Sequence, residues 1–159
     1  MAMTLRVNGE DVALDPDEPA LLVEFLRNAL GLKATRFGCG LEQCGACMVL
    51  VDGAPAHSCS RPAIDFAGHA ITTVEGLSAN GLHPLQQALI DEQAGQCGFC
   101  LSGILIRGVA LLAANPAPTR AEIAAALDGH LCRCGVQPRI MAAIERAAAQ
   151  LKAGAGHGA

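Results

Sequence analysis

The sequence predicts an α+β chain in two parts, a β-rich first half (residues 1–76) and a helical second half (residues 77–159). Two periodicities and one break support this. Early hydrophobic residues alternate with polar ones, as in half-buried strands, and from about residue 83 they recur at helical spacing. Between the two patterns lies Glu75–Leu82 (EGLSANGL), whose glycines, serine and asparagine read as a linker.

The elements follow in order. Leu5 and Val7 alternate with polar neighbours, Asn8-Gly9 supplies a type I′ turn, and Val12 and Leu14 resume the alternation, giving a hairpin. Residues Pro19 to Leu30 have helical character, with Pro19 suited to a first turn and Gly31 to the position after the last. Met48–Val51 reads as a short strand closed by Asp52-Gly53, and Ala70–Val74 as another. Together they predict a small sheet with a helix across one face. Four helices are expected beyond the linker, at about 83–93, 99–114, 119–128 and 137–151. The third opens on Thr119-Arg-Ala-Glu122, a capping box, and stops at Gly129. Their short connections predict a four-helix bundle.

Bulk composition removes several function classes. The 159 residues carry a net charge of −4 and no Lys/Arg run, so the electrostatic footprint of a nucleic-acid partner is missing. The acidic start MAMTLRVNGEDVALDPDEP does not suit a secretory signal. The longest apolar stretch, Leu101 to Ala114, is too short to span a bilayer and contains Arg107, so no membrane insertion is expected. These observations predict a soluble, cytoplasmic protein. Hydrophobic residues make up 52%, but Trp and Tyr are absent, and leftover apolar surface on a small domain suggests a partner.

The eight cysteines carry the chemistry. Cys39, Cys44, Cys47 and Cys59 are spaced C-x4-C-x2-C-x11-C; Cys97, Cys100, Cys132 and Cys134 are spaced C-x2-C-x31-C-x-C. Each half owns four and none is left over. The first spacing is that of a plant-type [2Fe–2S] ligand set. Four thiolates around such a cluster leave it anionic, and main-chain N–H groups aimed at the sulfurs offset that charge. Gly38, Gly40 and Gly45 let the backbone wrap closely enough to aim them. In the second quartet, Cys97 and Cys100 sit at the start of one predicted helix, and Cys132 and Cys134 just ahead of another. Helix N-termini offer free N–H groups and partial positive charge to an anionic cluster. Zinc is the rival, since four thiolates bind it well. It matches the glycine-ringed C-x4-C poorly, but at the second quartet spacing alone leaves iron–sulfur and zinc open. Disulfides rank third, because Cys132-x-Cys134 is too close in sequence to pair comfortably.

The stretches GCGLEQCGAC, QCGFC and LCRCG, in that order and spacing, resemble the small iron–sulfur subunit of the xanthine oxidase family of molybdenum hydroxylases. The resemblance runs from about residue 4 to residue 150. It implies an N-terminal β-grasp, plant-ferredoxin-like domain and a C-terminal four-helix bundle, each with one [2Fe–2S] cluster. Cys39, Cys44, Cys47 and Cys59 would bind the outer cluster, and Cys97, Cys100, Cys132 and Cys134 the one nearer a molybdopterin (cytosine dinucleotide) on a separate large subunit. Gln96 matches a position that contacts the pterin, and Cys134 is expected on the same side. The implied role is electron transfer, from the molybdopterin through the bundle cluster and the β-domain cluster to a flavin subunit or a cytochrome. The tail Cys-Arg-Cys-Gly-Val-Gln-Pro-Arg-Ile looks like that of bacterial isoquinoline and nicotinate oxidoreductases, so an N-heteroaromatic substrate is expected. Met48 stands where threonine is common in the family.

No catalytic constellation is expected in the chain itself. His57, His69, His83, His130 and His157 show no mutual spacing that suggests a site and read as surface or capping residues. Glu42 and Gln43 are expected to face solvent. No phosphate-binding glycine loop follows a strand. Three rival readings differ in what they predict: an aldehyde-oxidising relative, a free-standing ferredoxin (which leaves the bundle unexplained), and a colourless zinc module.

Overall fold

The computed structural model describes residues 3–15, 17 and 20–155. Pro19, expected in the first turn of the first helix, lies outside them, as does His157. Strands β1 (Met3–Val7) and β2 (Glu10–Leu14) form the antiparallel hairpin that Asn8-Gly9 predicts. Both turn residues take positive φ, 51° and 93°, as a type I′ turn requires. Asp52-Gly53 makes a second such turn between β3 (Met48–Val51) and β4 (Ala54–His57). With β5 (Ala70–Thr72), the sheet order is β2-β1-β5-β3-β4, β5 running parallel to β1 and antiparallel to β3. The expected strand end at Val74 comes earlier because Thr73 turns to the Asn8 side chain, its N–H bonding Asn8 Oδ1 at 2.9 Å.

The helix across the sheet is less regular than the sequence suggests. α1 spans only Leu22–Glu24 before the coil widens into a π-helical segment, Phe25–Ala29, in which Leu30 N bonds Phe25 O at 3.2 Å. The wider turn brings Phe25, Leu26 and Leu30 onto one core with Leu5, Val7, Val49 and Ile71. Gly31 follows with φ 69°, in the left-handed region that ends helices.

Among the described residues, four α-helices occupy the second half: α2 (Pro84–Asp91), α3 (Leu101–Ala114), α4 (Arg120–Leu127) and α5 (Gln137–Ala155). α2 packs on α5 and α3, and α4 on α3 and α5. Their core gathers Leu85, Ile104, Leu105, Ile123, Ile140 and Ile144. The predicted capping box is formed, with Thr119 N donating to Glu122 Oε2 at 2.6 Å and Glu122 N to Thr119 Oγ1 at 3.3 Å.

The two halves share a third core. β3 is apolar on both faces: Val49 faces the sheet core, while Met48 and Leu50 pack on Ile106 of α3. Val74 and Leu77 join this seam, and Glu75 Oε1 accepts from Ala34 N at 2.9 Å. The segment that composition marks as a linker is thus tied down near its start, by Glu75 and Leu77. Among the described residues, no helix is long and apolar enough to cross a membrane.

Candidate iron–sulfur centres

The first four cysteines lie in the loop that precedes β3 and just past the end of β4. Residues 38–47 wrap back on themselves, with Gly40 and Glu42 at φ 69° and 58°. This turns the N–H groups of Leu41 and Gln43 toward Cys39 Sγ, each at 3.3 Å, and the N–H of Cys39 toward Cys44 Sγ at 3.4 Å. A Cβ on Gly38 would stand 2.7 Å from Cys44 Sγ and would push that sulfur aside. The Leu41 and Gln43 amides bring the Cys39 thiol down to about 7. Cys47 and Cys59 lie inside, under Leu21 and Val23. Burial pushes Cys47 up to about 11. The thiols therefore form two pairs, Cys39 with Cys44 at the surface and Cys47 with Cys59 beneath. Glu42 and Gln43 are exposed, as expected.

The second four meet at the starts of α3 and α5. Cys100 is the N-cap of α3, and Cys132 and Cys134 lie in the turn that leads into α5. Again there are two pairs: Cys97 and Cys134, with sulfurs 3.5 Å apart, and Cys100 with Cys132. The N–H of Phe99 is the chief influence lowering the Cys97 thiol. Burial raises Cys132, but the N–H groups of Cys134, Gly135 and Val136 and the Cys100 side chain outweigh it, and the net shift is downward. Burial pushes Cys100 up to about 12. Gln96 is exposed beside the exposed Cys97.

Both sets have the chemistry a [2Fe–2S] group needs: four free thiols in two pairs that could serve as its ligands, with main-chain donors aimed at several of the sulfurs. Among the described residues, no three Cys, His, Asp or Glu side chains converge as a single-ion site needs.

The two sets are joined. Leu131, beside Cys132, donates its N–H to Cys44 O at 3.1 Å. Ser102 Oγ donates to Ala46 O at 3.2 Å, and Gly103 and Gly45 approach so closely that a Cβ on Gly103 would overlap Gly45 O. The His130 ring fills the space over Gly45. Both its ring nitrogens are buried and make no hydrogen bond of ordinary geometry among the described residues, and burial drives its pKa down to about 4. His57 Nδ1 lies 3.6 Å from Cys47 Sγ. These two histidines depart from the surface-or-cap expectation. His83, the N-cap of α2, and the exposed His69, paired with Asp52, agree with it.

Residues 5–69 match the model of a 2Fe-2S iron–sulfur cluster binding domain, and residues 73–145 that of a [2Fe-2S] binding domain. The chain is 47% identical to a nicotinate dehydrogenase subunit of Pseudomonas putida over 149 residues, 92% of this chain and 94% of that one. It is also 47% identical to the alpha subunit of isoquinoline 1-oxidoreductase from Brevundimonas diminuta over 143 residues, 89% of this chain and 94% of that one. The crystal structure of quinoline 2-oxidoreductase from Pseudomonas putida 86 superposes with a TM-score of 0.88 at 38% identity, covering 97% of both chains.

The chain is an iron–sulfur subunit of the xanthine oxidase family. Two cluster-binding domains in one chain make it the electron-transfer part of a molybdenum-dependent oxidoreductase complex. The same fold recurs inside a longer polypeptide, the aldehyde oxidoreductase of Desulfovibrio gigas, with a TM-score of 0.88 at 35% identity. There the matching region makes up 17% of the chain.

Proposed function

We propose that this chain relays electrons from a molybdopterin on a large partner subunit to a flavin subunit or cytochrome, in a complex that hydroxylates an N-heteroaromatic such as nicotinate or isoquinoline. In this reading residues 1–76 are a β-grasp domain that holds one cluster through Cys39, Cys44, Cys47 and Cys59. Residues 77–159 are a four-helix bundle domain that holds the other through Cys97, Cys100, Cys132 and Cys134. Each cluster supplies a one-electron couple when bound. The molybdopterin is proposed in its cytosine dinucleotide form, with Gln96 and Cys134 on the side facing it, and the complex is cytoplasmic. Eight cysteines free of disulfide bonds fit that compartment.

The observation that carries this reading is the exposure of Gln96 and Cys97 together at the rim of the second set. An amide that can both donate and accept suits a pterin edge, and an exposed sulfur beside it needs a partner surface to exclude water. From there the chain's own residues continue inward: Cys132 is one residue from Leu131, whose N–H holds Cys44 O of the first set. The substrate class rests on the two relatives at 47% identity, one named for nicotinate and one for isoquinoline.

The test is anaerobic addition of nicotinate or isoquinoline to the complex purified from its native host. Both centres should bleach, and Gln96→Ala should slow the bleaching with no loss of iron. A chain that purifies without a molybdenum-containing partner, or a Gln96→Ala complex that bleaches at the wild-type rate, would contradict the proposal.

A further inference from the structure

We propose that His57 donates a hydrogen bond to the Cys47 sulfur and thereby raises the reduction potential of the first centre. The inference rests on the reading that Cys39, Cys44, Cys47 and Cys59 hold a [2Fe–2S] cluster.

Nδ1 of His57 stands 3.6 Å from Cys47 Sγ, within reach of a hydrogen bond to sulfur. In a free thiol the proton could belong to either atom. As an iron ligand Cys47 is a thiolate with no proton to give. The shared proton then belongs to Nδ1, which fixes the tautomer of the ring. Local structure holds the ring in place. Met48 pairs with His57 across the β3–β4 hairpin, which sets His57 beside Cys47. The next residue is pinned twice, by Ser58 Oγ donating to Cys47 O at 2.6 Å and by Val23 N donating to Ser58 O at 2.9 Å.

The consequence for redox chemistry follows from charge. Reduction adds negative charge to the cluster and its sulfurs, so a fixed donor stabilises the reduced state more than the oxidised one. Cys47 is 1% exposed, and in so dry a setting water does little to mask the donor. The N–H contacts to Cys39 and Cys44 come from the main chain and are part of the loop. His57 is a side chain, so this contribution can be removed without recasting the loop. Its ring is half-buried and borders a crevice of about 280 Å³ that Glu42, Arg107 and His130 also line, which leaves room for a substitute.

The experiment is a redox titration of the complete complex followed by electron paramagnetic resonance, comparing wild type, His57→Leu and His57→Gln. In His57→Leu the oxidised-to-reduced equilibrium of the first centre should move toward oxidised. A hydrogen bond to a charged group sets the scale at roughly tenfold, or about 59 mV lower for a one-electron couple. His57→Gln, which keeps an N–H, should fall between. The second centre should hold its potential in every variant. A first-centre potential unmoved in His57→Leu overturns the inference while leaving the cluster assignment intact. Absence of the first signal from the wild-type complex overturns both. Should the variants fail to assemble, wild-type protein with ¹⁵N-labelled histidine should show a weak imidazole nitrogen coupling on the first centre's signal. A spectrum without that coupling overturns the inference.

Discussion

Replacing Gly103 with alanine sets two effects of opposite sign against each other. Gly103 lies inside α3, where alanine is favoured over glycine by about 1 kcal/mol. On an isolated helix the change would stabilise. Here an added Cβ would overlap Gly45 O, and it would stand 2.7 Å from Gly45 C and 3.2 Å from the Ala46 Cα. All three are main-chain atoms, and two lie well inside the roughly 3.5 Å at which nonbonded atoms sit comfortably. No rotamer change relieves such a contact, so α3 must move away from the first cysteine loop. Overpacking of this kind costs about 1–3 kcal/mol. The shift also strains the bond from Ser102 Oγ to Ala46 O, worth about 1 kcal/mol. The overlap therefore wins, and Gly103→Ala should destabilise by about 2 kcal/mol, lowering Tm by about 4–8 °C in a chain of this size. Urea unfolding of the cluster-free chain followed by circular dichroism measures it. A variant as stable as wild type, or more so, would refute the claim that the two halves are locked backbone to backbone at this point.

Other predictions follow from particular residues. On the proposed assignment Cys100→Ser removes one ligand of the second set and should halve the iron of the loaded chain while preserving the first centre's spectrum, as read by metal analysis and electron paramagnetic resonance. Ile144→Ala, at a fully buried position in the helical core, should cost about 3 kcal/mol in urea unfolding. His83 caps α2, its Nδ1 accepting from Leu85 N at 3.1 Å, and burial lowers its pKa. The neutral ring is favoured in the folded state, so its contribution is complete above the unfolded value of about 6.5 and is lost as pH falls through the lowered one. His83→Asn keeps a cap without a titrating group and should flatten that part of the stability–pH profile.

Where the chemistry is local, the sequence announces it. Asn8-Gly9 and Asp52-Gly53 each demand two positive φ angles, and both hairpins form where they stand. Thr119 and Glu122 satisfy one another within one turn, so the start of α4 is visible in four letters. The two cluster-binding halves are likewise legible, because each carries a cysteine quartet of its own. What the sequence hides is set by distant contacts. The π-helical widening after Glu24 answers to the core that Phe25 and Leu30 must reach. Glycines 45 and 103 look like ordinary loop and helix glycines until the fold brings them together. His57 is half-visible: the Asp52-Gly53 turn fixes the register that opposes it to Met48, which places it next to Cys47. His130 gives no local sign of its half-buried place between the two loops.

The measurement that most directly tests the account is iron, zinc and acid-labile sulfide per chain, taken on protein purified anaerobically from its native host. Two [2Fe–2S] centres held by two cysteine quartets require four irons and four sulfides, with two distinct signals on reduction. Two irons would leave the first centre standing and contradict the assignment of Cys97, Cys100, Cys132 and Cys134. Zinc without sulfide would contradict the account at both centres.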